Sequence, residues 1–195
     1  MNMKKISTNR HSTERGFSMI ELVVVVAMIM VLSAIGLPSI NNSLAVYKLN
    51  AASTSLQNLI EQARFNAVRR NARVSLRQTL INGQAAFYVD ILDNSVYVNT
   101  DPTYVVPTTV QIAPSVAPAA STTGLPNTAA LGGGCISFNS RGVVDYTTCG
   151  GGVQSVWFIS LGLTNNIGGY RAITLTPMGQ AKSWTAPAGG TWGTM

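Results

Sequence analysis

The sequence predicts an α+β fold: one long N-terminal helix, half of it membrane-like and half packed, against a small antiparallel β-sheet head. Three observations carry this. Residues 17–37, FSMIELVVVVAMIMVLSAIGL, are apolar apart from one carboxylate, Glu21. Leu49, Ala52, Leu56, Leu59, Ala63 and Ala67 then recur at three- and four-residue spacing, which gives a helix one apolar face. From about residue 73 the period of alternation drops to two, as in a half-buried strand. The expected divisions are therefore a basic segment over 1–16, an apolar helix over 17–38, its amphipathic continuation over 39–72, and a β-rich head over 73–195.

Length and composition agree with this organisation. The 195 residues suffice for one ordinary domain and an appendage, but not for two full-sized domains. Charged residues make up 10% of the chain, against roughly 25% in a soluble protein. The mean hydropathy is +0.23, so part of the chain is more apolar than a water-exposed surface allows. A charged disordered tail and a long charged coiled coil are excluded. The single histidine, His11, lies in the basic segment. Without it the chain builds neither a Ser-His-Asp triad nor a histidine-containing zinc site. No enzyme activity, cofactor or metal is expected.

At the N-terminus, 21 apolar residues of helix span about 30 Å, the thickness of a bilayer's hydrocarbon core. Lys4, Lys5, Arg10 and Arg15 precede them, and would hold the N-terminus on the cytoplasmic side. A secretory signal peptide is the alternative, but it wants a shorter apolar run and a small-x-small cleavage site, for which Ser33-Ala34-Ile35-Gly36 is a poor candidate. A plain anchor leaves Glu21 unexplained, since a carboxylate in a membrane helix is costly and functional by default.

Arg15-Gly16-Phe17-Ser18-Met19-Ile20-Glu21-Leu22 resembles the class III signal of type IV pilins and type II secretion pseudopilins. The resemblance implies that residues 1–16 are a leader, cut between Gly16 and Phe17 by a prepilin peptidase that then methylates the Phe17 amine. Residues 17–38 become a transmembrane and assembly helix with Glu21 as the fifth mature residue. Its carboxylate would meet the cationic amine of a neighbouring subunit and set register, a strong interaction in low dielectric.

Past Pro38, where a missing backbone donor should kink or loosen the helix, residues 39–71 hold no further proline and no glycine. Arg64, Arg69 and Arg70 crowd the end of this helix, with Arg73 and Arg77 just beyond. Cations there complement the helix macrodipole; the functional alternative is an anionic partner. Val74, Leu76 and Leu80 then alternate with polar residues up to Asn82-Gly83, and Phe87, Val89 and Ile91 follow. This is a two-residue hairpin signal. Asp93-Asn94 marks a second turn before a short strand at Ser95–Val98. Val105, Val106, Val110 and Ile112 suggest an edge strand. Residues 113–134, in a stretch with five of the eight prolines just before and within it, read as a long exposed loop. Ile136-Ser137-Phe138 before Gly142 echoes Ile173-Thr174-Leu175 before Gly179, two strand–turn–strand units, and Val153–Leu161 supplies a strand between them.

This arrangement, together with ARFNAVRRNARVSL at 63–76, is similar to the FimT/GspH group of minor pilins and pseudopilins. The similarity is strong at 16–38, moderate at 56–92 and 134–184, and poor through 101–133. It implies a pilin-like fold, a single-pass inner-membrane protein with its head in the periplasm, and later residence in a pilus or pseudopilus fibre. The implied partners are other major and minor pilins or pseudopilins, the peptidase, an inner-membrane assembly platform, and membrane lipid before assembly.

Cys135 and Cys149, the two cysteines, would then lie on the oxidising side, where a structural disulfide is expected rather than a redox or metal pair. It would tie together a Phe138–Tyr146 hairpin. Asp90, Asp93 and Asn94 lack a calcium-loop template. Trp157, Trp184 and Trp192 read as core or docking surface. Some FimT-like proteins bind DNA through a C-terminal Gly-Arg-x-Arg motif, whose matching positions here are Gly179-Gln180-Ala181-Lys182. One cation of the motif survives, and a single ammonium lacks the bidentate fork that suits phosphate. Residues 17–195 carry nine basic and six acidic groups, only mildly basic. Three readings follow: a minor pilin that primes or caps a pilus, a minor pseudopilin of protein secretion, and a DNA-capturing pilin. For the last, Arg64, Arg69, Arg70, Arg73, Arg77, Arg171 and Lys182 are the candidate contacts, and weak duplex DNA binding is the expectation.

Overall fold

The computed structural model describes residues 17–115, 117–118, 129–130, 135–145, 149, 157–165 and 167–194. Among the described residues, one helix, α1 (Met19–Arg70), precedes ten strands. The chain divides into two compact units, Met1–Ile40 and Asn41–Met195, and α1 contributes to both.

In the first unit, helix assignment begins at Met19 and passes through Pro38 without interruption. The Leu22 amide donates to the Ser18 carbonyl at 3.2 Å, closing the first turn. Ser33 donates its hydroxyl to the Ile29 carbonyl at 2.7 Å, so this polar side chain is satisfied within the helix.

In the second unit, α1 buries Leu49, Ala52, Leu56, Leu59, Ile60, Ala63 and Ala67, at 0–6% exposure. The helix stops where Asn71 takes a φ of 49°. The Ala72 amide then reaches the Ala67 carbonyl and the Asn71 amide the Val68 carbonyl, each at 3.2 Å. These two bonds make a Schellman cap, which satisfies carbonyls the helix leaves open.

Four strands form the first sheet: β1 (Val74–Ile81), β2 (Gln84–Asp90), β3 (Thr103–Val105) and β6 (Cys135–Phe138), in spatial order β3-β2-β1-β6. β1 and β2 are antiparallel, with Ile81 opposite Gln84. The turn between them, Asn82-Gly83, has φ of 51° and 78°, the two positive values that a tight hairpin turn requires. The second sheet has order β10-β9-β8-β7-β4, from β4 (Val110–Ile112), β7 (Trp157–Leu163), β8 (Tyr170–Leu175), β9 (Ala181–Ala186) and β10 (Gly193–Thr194). A short β5 (Ala129–Ala130) pairs in parallel with β7. Both sheets and the α1 face share one core, with Leu76, Phe87, Ile136, Phe138, Leu161 and Ile173 at its centre. A smaller apolar cluster joins Tyr170 and Ala172 of β8, Trp184 and Ala186 of β9, and Trp192 just before β10.

Several expectations are corrected here. No strand forms at Ser95–Val98: the Asp90 carboxylate accepts the Asn94 and Ser95 amides at 3.1 and 2.7 Å, and Ser95 adopts a φ of 63°. Backbone donors that bind a side chain this way are lost to a ladder. The expected edge strand around Val105–Ile112 is two strands in different sheets. Pro107, which has no amide to donate, stands between them, and its carbonyl closes a turn with Val110. The loop expected over 113–134 is anchored at several described positions, while Ser115 is exposed. Ala113 donates to Ser160, Pro114 is buried, and Trp192 donates its ring N–H to the Pro118 carbonyl at 3.2 Å. Tyr146, at the end of the expected hairpin, lies outside the described residues, as do residues 153–156 of the expected Val153–Leu161 strand. The hairpin survives in part, with Phe138 bridged to Val144.

Candidate functional site

The sequence places three candidate features on the chain: the N-terminal assembly residues, the cysteines, and the arginine-rich helix end. Gly16 lies outside the described residues. Phe17 is 78% exposed, and Glu21 stands in the first turn of α1, where a carboxylate complements the helix macrodipole. No ion pair to Glu21 exists among the described residues. Every large apolar side chain from Met19 to Leu32 is exposed, by 41–86%. No helix is long and apolar enough among the described residues to cross a membrane.

Cys135 and Cys149 are joined, with their Cα atoms 5.5 Å apart. Both are buried. Cys135 opens β6 opposite Arg77 of β1, so the bond ties position 149 to the edge strand of the first sheet.

The arginines divide into two groups. Arg77 pairs with Asp90 at 3.0 Å and lies 3.7 Å from Asp93, while Arg73 pairs with Asp93 and stands 3.8 Å from Asp145. Ser75 donates its hydroxyl to Asp93 at 2.7 Å. The hydrogen bond and charge of Asp93 raise the Arg73 pKa above its ordinary value. Asp90 and Asp93 are thus engaged with arginines and backbone amides rather than presented outward. Arg171, on β8, is buried and donates to Asn50 at 2.7 Å, to Thr185 at 2.9 Å and to its neighbouring Tyr170 carbonyl at 2.9 Å. Burial lowers its pKa. Of the expected contacts, Arg171 faces inward, while Arg73 and Arg77 pair with carboxylates and the Arg73 side chain stays 45% exposed.

Arg64, Arg69, Arg70 and Lys182 remain at the surface. Arg69 donates to Asn66 at 3.1 Å and its guanidinium lies 5.9 Å from the Phe65 ring centroid. The Lys182 ammonium is 4.6 Å from the Trp184 ring. Trp184 and Trp192 are buried, which assigns them to core, while the Trp157 side chain lies outside what is described.

Sequence reasoning missed a polar stripe on α1. Asn50, Gln57 and Arg64 recur every seventh residue, each one step beyond a buried apolar position. Asn50 accepts from Arg171, Gln57 accepts from Ser183 at 2.6 Å, and Arg64 donates to the Gly142 carbonyl at 3.1 Å. Seven residues are two helical turns, so these three lie on one flank and pin it to β8, β9 and the turn after β6. The signal was present as a heptad of hydrogen-bonding side chains beside the apolar face. The two echoed glycine turns meet at the third pin. Gly179 and Gly142 have φ of 78° and 72°, and a Cβ on Gly179 would stand 2.4 Å from the Gly142 carbonyl oxygen.

Residues 11–37 match the prokaryotic N-terminal methylation motif, and residues 52–179 match the family of type II transport protein GspH. No curated protein matches. Among solved structures, the chain is similar to the type IV minor pilin FimU of Pseudomonas aeruginosa, with 15% identity and a TM-score of 0.45 over 72% of this chain and 94% of FimU. It is also similar to the minor pseudopilin EpsH of the Vibrio cholerae type 2 secretion system, with 10% identity and a TM-score of 0.32 over 76% of this chain and 96% of EpsH. With an N-terminal methylation motif joined to a domain match that spans most of the helix's packed half and the head, this chain belongs to the GspH family of pilin-like proteins.

Proposed function

We propose that the chain is a minor type IV pilin of the FimT/GspH kind, a structural subunit that primes assembly at the fibre tip and carries out no catalysis. Residues 1–16 are removed between Gly16 and Phe17 by the prepilin peptidase, and the Phe17 amine is methylated. The subunit waits in the inner membrane as a single-pass protein with its head in the periplasm. It is then passed by the assembly platform into a fibre of major and minor pilins. The observation that carries this reading is Glu21, a carboxylate without an ionic partner among the described residues, set in the stretch from Met19 to Leu32, whose large apolar side chains are all exposed. Such a surface needs a cover, lipid before assembly and other helices after it. The carboxylate needs a cation, which a neighbour's N-terminal amine supplies.

The match to type II transport protein GspH favours a second reading, a minor pseudopilin of a secretion system, with the same processing and topology. Intact mass of the membrane-extracted protein tests both, and is expected to begin at Phe17 with one added methyl group. An N-terminus at or after Gly36 overturns both. Deletion separates them: loss of pili and twitching marks the pilin, loss of protein export the pseudopilin, and loss of DNA uptake alone a DNA-capturing pilin.

A further inference from the structure

Between the last turns of α1 and the turn joining β8 to β9 lies a groove of about 650 Å³. Helix assembly through Glu21 makes no use of it. Its chemistry is mixed. Phe65 and Val68 line it while 63% and 50% exposed, on a helix whose neighbouring apolar residues are buried. Arg64 and Lys182 supply positive charge, and Glu61 the one carboxylate of the lining. The Gly142 carbonyl fixes Arg64 through Nε, and among the described residues its two terminal nitrogens have no partner. A guanidinium held in this way is prepared for a carboxylate.

We infer that this groove docks an acidic segment of a different subunit, with a carboxylate against Arg64 and Lys182 and a large apolar side chain over Phe65 and Val68. The inference rests on the reading of the chain as a fibre subunit. A polyanion fits poorly: Glu61, in the lining, repels successive phosphates. A second copy of this chain does not supply the complement either. Asp90, Asp93 and Asp145 face Arg73 and Arg77, and Asp101 accepts the Val98 amide at 2.9 Å. Among the described carboxylates of the head, only Glu61 is uncommitted, and it lies in the groove itself. Residues 17–195 also carry more basic than acidic groups, so two heads repel. The acidic partner must be another chain.

The test uses the full chain in cells that make its own assembly system. Gln180, exposed in the groove lining, is replaced by the photocrosslinker p-benzoylphenylalanine. The expected adduct is with a different pilin-like subunit, at a peptide where Asp or Glu neighbours a large apolar residue. Lys182→Glu should reduce the adduct about tenfold through like-charge repulsion, whereas Lys182→Arg should keep it. An adduct with a second copy, with nucleic acid or with lipid overturns the inference. So does the absence of an adduct, or one that Lys182→Glu leaves unchanged. Glu21→Ala reports separately on the fibre reading. If it blocks incorporation while Gln180 yields no subunit adduct, the fibre reading stands and the docking falls. If Glu21→Ala incorporates normally, Glu21 leaves the register and the fibre reading stands; if the wild-type chain is absent from sheared fibres, both fall.

Discussion

Residues 19–34 and 49–67 belong to one helix and are both rich in apolar side chains, yet they dispose of them in opposite ways. In the first stretch Met19, Ile20 and Leu32 are 69–86% exposed, and even Val26 remains at 41%. In the second, Leu49, Leu56 and Ile60 are at or below 1%. Patterning accounts for the difference. The second stretch, Phe65 apart, gathers its large apolar residues on one face and flanks it with Asn50, Gln57 and Arg64, which bond to the head. The first is apolar on every side and offers no face to solvent. One stretch is built to be covered by its own chain, the other by something else.

Removing the charge from the first stretch should give the largest effect. Breaking a buried ion pair from one side costs about 3–5 kcal/mol, so Glu21→Ala should insert normally but fall out of assembled fibres by more than a hundredfold, read by immunoblot of sheared fibres. Undiminished incorporation would remove Glu21 from the register. The head itself should not notice: its thermal unfolding in detergent-solubilised full chain should match wild type.

The mirror experiment acts on the second stretch. Leu56→Ala leaves a cavity among fully buried neighbours and should destabilise the head by about 2–5 kcal/mol. Leu32→Ala, at 70% exposure, should change head stability by less than about 0.5 kcal/mol. Equal shifts from the two substitutions would end the distinction between the stretches.

The helix, its division into two characters and the Asn82-Gly83 hairpin were legible because each is written in local periodicity or in a residue that permits positive φ. The failures share a cause in long-range competition. Ser95–Val98 has strand-like alternation, but the Asp90 carboxylate, set by pairing with Arg77, takes the amides that a strand would use. Arg73, Arg77 and Arg171 looked alike in sequence, and only the folded chain shows which carboxylate or carbonyl each one meets. The pins at Asn50 and Gln57 were overlooked because uncharged polar residues beside an apolar face read as solvated.

The disulfide is a smaller lever on the head alone. With the cysteines 14 positions apart, a bond of that loop size contributes roughly 3 kcal/mol in the chain-entropy model. Non-reducing peptide mapping should recover Cys135 linked to Cys149. Reduction should lower the head's melting temperature and leave leader removal and membrane insertion unchanged. Free thiols in protein exported to the periplasm would remove the bond from the native head.

The smallest expected effect concerns duplex DNA, and it follows from how the arginines divide. Counterion release makes affinity fall with salt by about 0.9 logarithmic units for each phosphate contact. Arg73 and Arg77 are held by Asp90, Asp93 and Asp145, and Arg171 is buried, which leaves few cations able to contribute. The full chain in detergent should therefore shift duplex DNA weakly, without sequence preference, and lose it by physiological salt. Arg70→Ala should reduce the salt slope by about one unit, while Arg73→Gln should leave it unchanged because that charge is already neutralised. Gln180→Arg with Lys182→Arg should strengthen binding, since two guanidinium forks replace an amide and a point charge. Tight wild-type binding that persists at physiological salt would make DNA capture the leading function. A slope that falls on Arg73→Gln would show that Asp93 releases its arginine to phosphate.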